Sequence, residues 1–269
     1  MDKKLTDLEV LIKGGGEQAS GVAHRLFRSH FKVCITEIPN PRAVRREVAF
    51  CEAVYEGEKE VEGVVAKRVG TKEEIFEVWK ENKIPLMVDP QSTVKEYLKP
   101  NILIDATMPK RNLGITKITD APLVIALGPG FWAGRDAHLV IETNRGHDLG
   151  RIITEGEAEK FTGVPGVIGG YGIERVFRAP RAGRFISSKK IADYVQVDEI
   201  VGEVEGLPVK VRIKGILRGL IRDGLDVRER QKLGDVDPRG VKESCYTISD
   251  KARAIGGGVL EGILMRFNT

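Results

Sequence analysis

Short apolar segments alternate with helix-like segments along the first half of the chain, and this alternation constrains the fold of the 269 residues most strongly. Residues 9–13 and 32–38 are typical of strands, and residues 19–30 between them have a helical pattern. Further apolar runs occupy residues 84–89, 101–107, 122–127 and 138–143. Strands that alternate with helices form βαβ units, and uninterrupted apolar runs are typical of parallel strands covered on both faces. The sequence therefore predicts an α/β domain with a parallel sheet.

Three further helices are predicted from local pattern. Residues 43–54 have a helical pattern, and residues 71–81 begin with a capping box. Residues 249–267 begin with Ser249, a good N-cap residue. Three consecutive glycines at 256–258 interrupt that pattern, so either the helix starts later or a backbone or ligand approaches closely there. We favour the close approach.

A glycine-rich segment, KGGGEQASG at residues 13–21, lies between the first predicted strand and the first predicted helix. Its spacing fits the dinucleotide-binding fingerprint, in which bare backbone amides at a helix N-terminus contact phosphate. Glu37 ends the second strand, where such domains bond a ribose hydroxyl. The predicted phosphate-binding residues are Gly14, Gly15, Gly16 and Ala19. The alternative is that the glycines only pack the helix against the strand.

A second group of candidate binding residues lies in loops after the later strands. Ligands of open α/β sheets bind outside the carboxyl ends of the strands, and guanidinium groups suit phosphates and carboxylates. His147 precedes Asp148 and could transfer a proton. The group consists of Gly128, Gly130, Arg135, Arg145, His147 and Arg151. The alternative is a glycine turn with surface ion pairs, and no catalytic residue is assigned.

A third candidate group follows the run at residues 101–107. It combines Asp105 with Lys110, Arg111 and Asn112. Cys34 is considered as a chalcogen relay because it lies near the end of the second strand. The other cysteines are Cys51 and Cys245, and the odd number without C-x-x-C spacing argues against disulfides and zinc, so no metal is predicted.

The second half of the chain contains an internal repeat. Residues 183–204 and 215–236 share a pattern of β run, turn and second apolar step, which predicts two interlocked β half-barrels. The segment resembles the biotinyl/lipoyl barrel-sandwich family, but the hairpin at residues 205–209 has no Met-Lys pair for covalent modification. The resemblance therefore implies a binding or docking module. The predicted domains are a Rossmann-like domain at residues 1–172, a barrel-sandwich-hybrid domain at 173–240, and at 241–269 a C-terminal helix that packs back on the first domain.

Charge and hydropathy exclude some classes of partner. The chain has 43 basic and 39 acidic residues, mixed along its length, so no basic field suited to nucleic acid is expected. No apolar run approaches the roughly 18 residues of a membrane span, and the first ten residues lack the apolar core of a signal peptide. We expect no membrane contact and a cytoplasmic location.

Several segments together resemble the YqeB family of accessory proteins for selenium-dependent molybdenum hydroxylases. They include GGGEQASGVAHRL at residues 14–26, LGPGFWAGRDAHLVIETNRGHDLGR at 127–151 and ISDKARAIGGGVLEGIL at 248–264. The resemblance runs almost end to end and implies a role in maturing a molybdenum hydroxylase. The expected ligand is a phosphorylated small molecule, either an NAD-like nucleotide or a molybdopterin-type cofactor.

Two other functions stay open at this point. One is an NAD-dependent oxidoreductase that uses the same fingerprint, since Glu37 would favour NAD over NADP. The other is a non-catalytic interaction scaffold with structural glycines. Whether the protein is an enzyme, and whether it forms a homodimer, are left open.

Overall fold

The computed structural model describes residues 4–109 and 114–268, which form two compact units. Unit 1 contains Met1–Pro41, Ala49–Phe161 and Ile248–Thr269. Unit 2 contains Arg42–Val48 and Thr162–Thr247. The units therefore divide the chain differently from the predicted boundaries after residues 172 and 240, and the C-terminal helix belongs to unit 1.

Unit 1 is built on a large sheet, and it also contains a small two-stranded ribbon. Its strands are β1 (Glu9–Lys13), β2 (Lys32–Glu37), β3 (Glu58–Val61), β4 (Val64–Val69), β5 (Ile84–Val88), β6 (Ile102–Asp105), β7 (Leu123–Leu127), β8 (Trp132–Ala133), β9 (Leu139–Ile141), β10 (Ile152–Ile153) and β11 (Gly156–Glu157). Nine of these strands form one sheet in the order β10-β9-β7-β6-β1-β2-β5-β4-β3, and β8 pairs with β11. The central strands β6, β7 and β1 are buried along almost their whole length, as expected of strands covered on both faces.

The α-helices are α1 (Glu17–Arg28), α2 (Ala53–Glu56), α3 (Lys72–Lys80), α4 (Lys95–Leu98) and α5 (Asp250–Phe267). Short 3-10 helices cover Leu5–Asp7, Arg46–Val48, Phe50–Glu52, Ile118–Asp120, Ile173–Arg175 and Lys242–Cys245. In the described part of the chain, no helix combines the length and apolar character needed to span a membrane.

The helix predicted at residues 43–54 is wrong. Two 3-10 helices and α2 replace it, and Ala49 between them has an extended backbone. Residues 42–48 belong to unit 2, whereas the residues from Ala49 onward belong to unit 1. The extended backbone at Ala49 ends helical geometry there, so tertiary packing overrides the local helical pattern.

Helix α5 is continuous through its three glycines because other backbone segments lie against two of them. A Cβ atom at Gly256 would lie 3.1 Å from the carbonyl oxygen of Gly21 in α1. A Cβ at Gly258 would collide with the carbonyl oxygen of Gly150. A Cβ at Gly257 would meet nothing within 4 Å. The close backbone approach favoured from the sequence is confirmed at two of the three positions.

Unit 2 consists of two antiparallel sheets. Its strands are β12 (Val176–Arg178), β13 (Gly183–Ser187), β14 (Tyr194–Val195), β15 (Ile200–Val204), β16 (Leu207–Lys210), β17 (Gly215–Leu220), β18 (Asp226–Val227) and β19 (Lys232–Asp237). The sheet orders are β12-β19-β17-β14 and β16-β15-β13-β18. Strands β13, β14 and β15 recur with the same spacing as β17, β18 and β19, and each sheet contains strands from both copies of the repeat.

The fold class predicted from the sequence, a Rossmann-like parallel-sheet domain followed by a biotinyl/lipoyl-like barrel-sandwich hybrid, is wrong. The large sheet is mixed, because β3 pairs antiparallel with β4 at one edge and β10 pairs antiparallel with β9 at the other. The β3–β4 connection is a two-residue turn, which joins only antiparallel strands. Unit 2 also takes in the distant segment Arg42–Val48, so it is not a contiguous module.

Candidate functional site

The structure brings Lys13 and Asp105 together at the carboxyl ends of two neighbouring parallel strands. Each is the last residue of its strand, and they lie side by side in the β1–β6 register. Both are almost fully buried. The Lys13 Nζ atom lies 3.7 Å from Asp105 Oδ2 and donates a hydrogen bond of 2.6 Å to Thr116 Oγ1. Sequence reasoning singled out Asp105 but missed Lys13 and Thr116.

Hydroxyl and amide donors bond both oxygens of the Asp105 carboxylate. Its Oδ1 atom accepts hydrogen bonds from the Thr107 amide at 3.1 Å and from Thr107 Oγ1 at 2.6 Å. Its Oδ2 atom accepts a hydrogen bond of 2.6 Å from Thr116 Oγ1. These three hydrogen bonds occupy most of the acceptor positions of the carboxylate.

The ammonium group of Lys13 is less well satisfied. Burial lowers the pKa of Lys13, and the negative charge of Asp105 acts in the opposite direction. An ammonium group has three donors, and within the described residues only Thr116 accepts a hydrogen bond from this one. The Lys13 ammonium therefore has one short hydrogen bond and a longer ion pair with Asp105 Oδ2 at 3.7 Å, which leaves donor capacity for a ligand.

A small cavity of about 60 Å³ opens beside these donors, and we call it the Lys13 cavity. Its walls include Lys13, Asp105, Thr107, Thr116, Ile115 and Phe131. One water molecule needs about 10–15 Å³ of such a volume, so the cavity has room for roughly four to six atoms the size of a water oxygen. This suits an acid group or a carbonyl with its substituents, not a whole nucleotide.

The glycine loop lies next to Lys13, and the chain's own groups occupy part of it. The Gly15 amide donates a hydrogen bond of 2.7 Å to Glu37 Oε2, and the Ile38 amide donates one of 2.7 Å to Glu37 Oε1. The Cys51 amide donates to the Gly15 carbonyl oxygen at 2.8 Å. A Cβ atom at Gly15 would lie 3.0 Å from the Cys51 nitrogen, so this segment lies directly against the loop.

The structure thus brings together the predicted glycine-loop residues and Glu37, but Glu37 itself accepts the hydrogen bond of the Gly15 amide. Burial raises the pKa of Glu37, and the two amides that bond its carboxylate act against that rise. A Cβ atom at Gly16 would meet nothing within 4 Å, so this part of the loop faces open space. A phosphate at Gly15 would have to displace Glu37 from its amide.

The predicted residues after β7 and β8 have local structural roles. Gly128 and Gly130 have φ angles of +74° and +104°, which favour glycine. Arg135 pairs with Asp136 at 2.9 Å and lies over the Trp132 ring at 5.4 Å. Its side chain is 68% exposed, so this ion pair is weak.

The residues predicted in the loop after β9 also form ion pairs. Arg145 makes two hydrogen bonds, of 2.8 and 2.9 Å, to Asp250 at the start of α5. Arg151 pairs with Asp148 at 3.1 Å, and His147 is exposed. Half-buried Lys251 has its pKa lowered by burial and by the charge of Arg145, with Glu17 acting in the opposite direction. The structure therefore brings the Arg145 loop close to the N-termini of α1 and α5.

The remaining candidates are Cys34 and the segment at residues 110–112. Cys34 lies in the middle of β2 with no exposed surface, and burial raises the pKa of its thiol, so it does not suit a relay. Lys110, Arg111 and Asn112 lie outside the described residues. Among residues 4–109 and 114–268, no three His, Cys, Asp or Glu side chains cluster in a way that could hold a metal ion.

Fold and site together define an α/β protein with a small cavity at the carboxyl ends of its parallel strands, lined by a few polar groups and apolar walls. The chain is similar to the uncharacterized protein YqeB of Escherichia coli (strain K12), with 47% identity over 256 residues. The matched region is 95% of this chain and 47% of YqeB, so the chain spans about half the length of that relative. This similarity supports the YqeB family resemblance seen in the sequence. No family model matches the chain.

Some solved structures show a weak likeness. An aspartoacylase family protein from Mesorhizobium loti is 12% identical, with a TM-score of 0.28 and coverage of 86% of this chain and 85% of that one. A succinylglutamate desuccinylase/aspartoacylase from Rhodobacter sphaeroides is 15% identical, with a TM-score of 0.27 and the same coverage. TcdA (CsdL) is 14% identical, with a TM-score of 0.27 and coverage of 46% and 49%.

Proposed function

We propose that the chain is a small-molecule-binding accessory protein and that the acid group of its ligand enters the Lys13 cavity. The observation that carries the proposal is the buried ammonium of Lys13, which has a short hydrogen bond to Thr116 and only a long ion pair, of 3.7 Å, to Asp105. Buried donors without acceptors are costly, and hydrogen bonds from a charged donor to an anionic oxygen are among the strongest in proteins. A ligand oxyanion at Lys13 uses the donor capacity that Thr116 and Asp105 leave.

The character of the cavity narrows the ligand class. Asp105 Oδ1 accepts two hydrogen bonds, and Oδ2 accepts one and pairs with Lys13, so Asp105 presents little acceptor capacity to a ligand. Ile115 and Phe131 provide apolar walls beside the amine. A few fixed polar groups among apolar walls are typical of small-molecule sites. The ligand we propose is a phosphorylated small molecule, either a nucleotide or a molybdopterin-type cofactor, with its terminal acid group at Lys13.

In an NAD-dependent oxidoreductase the glycine loop would hold the phosphate, whereas we propose that Lys13 holds it. Pyrophosphate on the glycine loop requires the Gly15 amide, which donates to Glu37, and space beside Gly15, which the Cys51 backbone fills. Binding at Lys13 requires neither group to move. The accessory role for a molybdenum hydroxylase is the part of the proposal that rests on the YqeB resemblance.

The substitution Lys13→Met tests the proposal, because methionine is similar in size and lacks the ammonium. We expect native mass spectrometry to show AMP or molybdopterin retained by the wild-type protein and binding weakened at least ten-fold in Lys13→Met. Lys80→Met is the matched control, since Lys80 is 70% exposed and pairs with its helix neighbour Glu77. Circular dichroism establishes that each variant is folded.

Three results would contradict parts of the proposal. Equal retention by Lys13→Met and Lys80→Met would remove Lys13 as the ligand-binding group. Retention of NAD alone would favour the oxidoreductase. Failure of molybdopterin-loaded protein to restore activity to a cofactor-free molybdenum hydroxylase would remove the accessory role and leave the binding role intact.

A further inference from the structure

We propose that unit 1 has a second anion-binding site, on the outer side of α1, that takes the phosphate group of a small molecule. The site is a pocket of about 420 Å³ between α1, the β3–β4 turn and the start of α5, and we call it the α1 pocket. Its polar walls are His24, Arg25, Arg28, Glu62 and Arg253. This volume lies in the range of small-molecule sites, roughly 300–1,000 Å³.

The β3–β4 turn forms a fixed wall of the α1 pocket. Glu62 Oε1 accepts hydrogen bonds from the Ile248 amide at 2.8 Å and from Arg253 Nη2 at 2.7 Å, and Oε2 accepts a second one from Arg253 at 2.8 Å. Glu62 adopts the left-handed backbone region, with a φ angle of +46°, which the tight turn requires. The charges of Glu62 and Arg253 therefore neutralise each other, and this pair adds no net charge to the pocket.

The remaining charge in the α1 pocket is positive. Within the described residues, neither Arg25 nor Arg28 forms an ion pair with a carboxylate. Arg25 is also held in place, because its Nη2 atom donates a hydrogen bond of 3.3 Å to the Arg253 carbonyl oxygen. Gly256 has no side chain and therefore leaves room for the Arg25 guanidinium, since a Cβ atom at Gly256 would lie 3.4 Å from Arg25 Nε. Two guanidinium groups without carboxylate partners in one concavity match the charge of a phosphate monoester.

His24 adds a neutral polar group to the same pocket. Its Nε2 atom lies 3.4 Å from the Glu62 carbonyl oxygen. Burial lowers the pKa of His24, which the Glu62 contacts oppose, and the charges of Arg253 and Arg28 lower it further. The imidazole is therefore neutral at pH 7, and the attraction for an anion comes from the two arginines.

A phosphate monoester fits these walls better than a carboxylate. Arginine forks bond two oxygens of one phosphate group at once, and two forks at one site suit a tetrahedral dianion. The pocket is also larger than one phosphate group, so the rest of a small molecule has room beside it. This site uses none of the groups that line the Lys13 cavity, so the two sites are independent.

The test is isothermal titration calorimetry with inorganic phosphate and with AMP, on the full chain. We expect the wild type to bind phosphate at the α1 pocket, with an affinity that falls as salt rises. The double variant Arg25→Gln/Arg28→Gln is expected to weaken this binding at least ten-fold. Arg266→Gln is the matched control, because Arg266 is an exposed arginine in the last turn of α5 and does not line the pocket.

The outcomes separate the two sites. Phosphate binding that survives in Lys13→Met and is lost when Arg25→Gln/Arg28→Gln is added to that variant supports the α1 pocket. Binding lost only in Lys13→Met overturns it and leaves the proposed function standing. No phosphate or AMP binding at millimolar concentration, or equal loss in Arg266→Gln, also overturns it. Tighter binding of AMP than of phosphate, with the same dependence on the two arginines, shows that the pocket takes a larger phosphorylated molecule.

Discussion

At the scale of single residues, unit 1 holds two ionisable groups of opposite sign beside its glycine loop: Lys13 just before the loop and Glu37 at the end of β2. Burial moves the pKa of each toward the neutral form. The two differ in their hydrogen bonds, because Glu37 has two backbone donors and Lys13 has one acceptor. Glu37 therefore stabilises the loop, whereas Lys13 retains donors for a ligand.

The raised pKa of Glu37 predicts a pH dependence of stability. A carboxyl with a higher pKa in the folded state binds its proton more tightly there, so its contribution favours folding at low pH. That contribution is lost as the pH rises from the unfolded value, about 4.3, through the raised folded value. We expect the unfolding free energy of the wild type to fall relative to Glu37→Gln across this window, as measured by urea denaturation.

A matched comparison isolates the burial effect. Glu9→Gln removes a carboxylate at the start of β1, away from the glycine loop. If the pH dependence of unfolding changes as much in Glu9→Gln as in Glu37→Gln, the shift does not come from Glu37.

At the scale of elements, α5 depends on which of its glycines touch other backbone segments. At Gly258 an added methyl group meets the Gly150 carbonyl, and overpacking of this kind costs about 1–3 kcal/mol. At Gly257 the methyl group meets nothing within 4 Å, so alanine gains its helix propensity of about 0.5–1 kcal/mol. We expect Gly258→Ala to lower the thermal midpoint and Gly257→Ala to raise it. Equal shifts of the same sign would show that α5 does not pack as described.

The elements also show which features the sequence could predict. The first strand, the helix after the glycine loop and the capped helix α3 follow from local pattern, and the structure has them within one or two residues. The segment at 43–54 could not be predicted, because its two parts pack in different units. The mixed character of the sheet arises at its edges, where a short hairpin and a two-residue strand give little periodic signal.

The candidate site was predictable only in part for a related reason. The glycine loop and Glu37 are recognisable because their spacing is local. Lys13 and Thr116 are separated by 103 residues, and only the strand order brings them together. Nor does sequence spacing reveal that the Gly15 amide already donates to Glu37.

At the scale of the whole molecule, unit 2 depends on a short segment from the N-terminal part of the chain. The Leu220 amide donates to the Val44 carbonyl oxygen at 2.8 Å, and Arg46 Nε donates to the Leu220 carbonyl oxygen at 2.8 Å. Arg45 donates to the Ser244 carbonyl oxygen at 2.9 Å. A Cβ atom at Gly219 would collide with Val44, so β17 is shaped to accept this segment.

A fragment of residues 162–247 should therefore be less stable than one in which residues 42–48 are fused to it through a Gly/Ser linker. The fused segment restores the hydrogen bonds to buried backbone groups, each of which is worth about 0.5–1.5 kcal/mol. Thermal denaturation followed by circular dichroism measures the difference. The control fusion carries Arg45→Gln and Arg46→Gln. Identical midpoints for all three proteins would mean that the segment does not stabilise unit 2.

The position of α5 in the chain sets an order for events on the ribosome. Helix α1 is synthesised long before α5, yet the two pack against each other through Gly21 and Gly256, which leave little room for a side chain at the contact. All of unit 2 lies between them in the sequence. During translation, the surface of α1 that α5 covers must therefore stay uncovered until unit 2 has left the ribosome. Unit 2 can thus fold before α5 packs on α1 and completes unit 1.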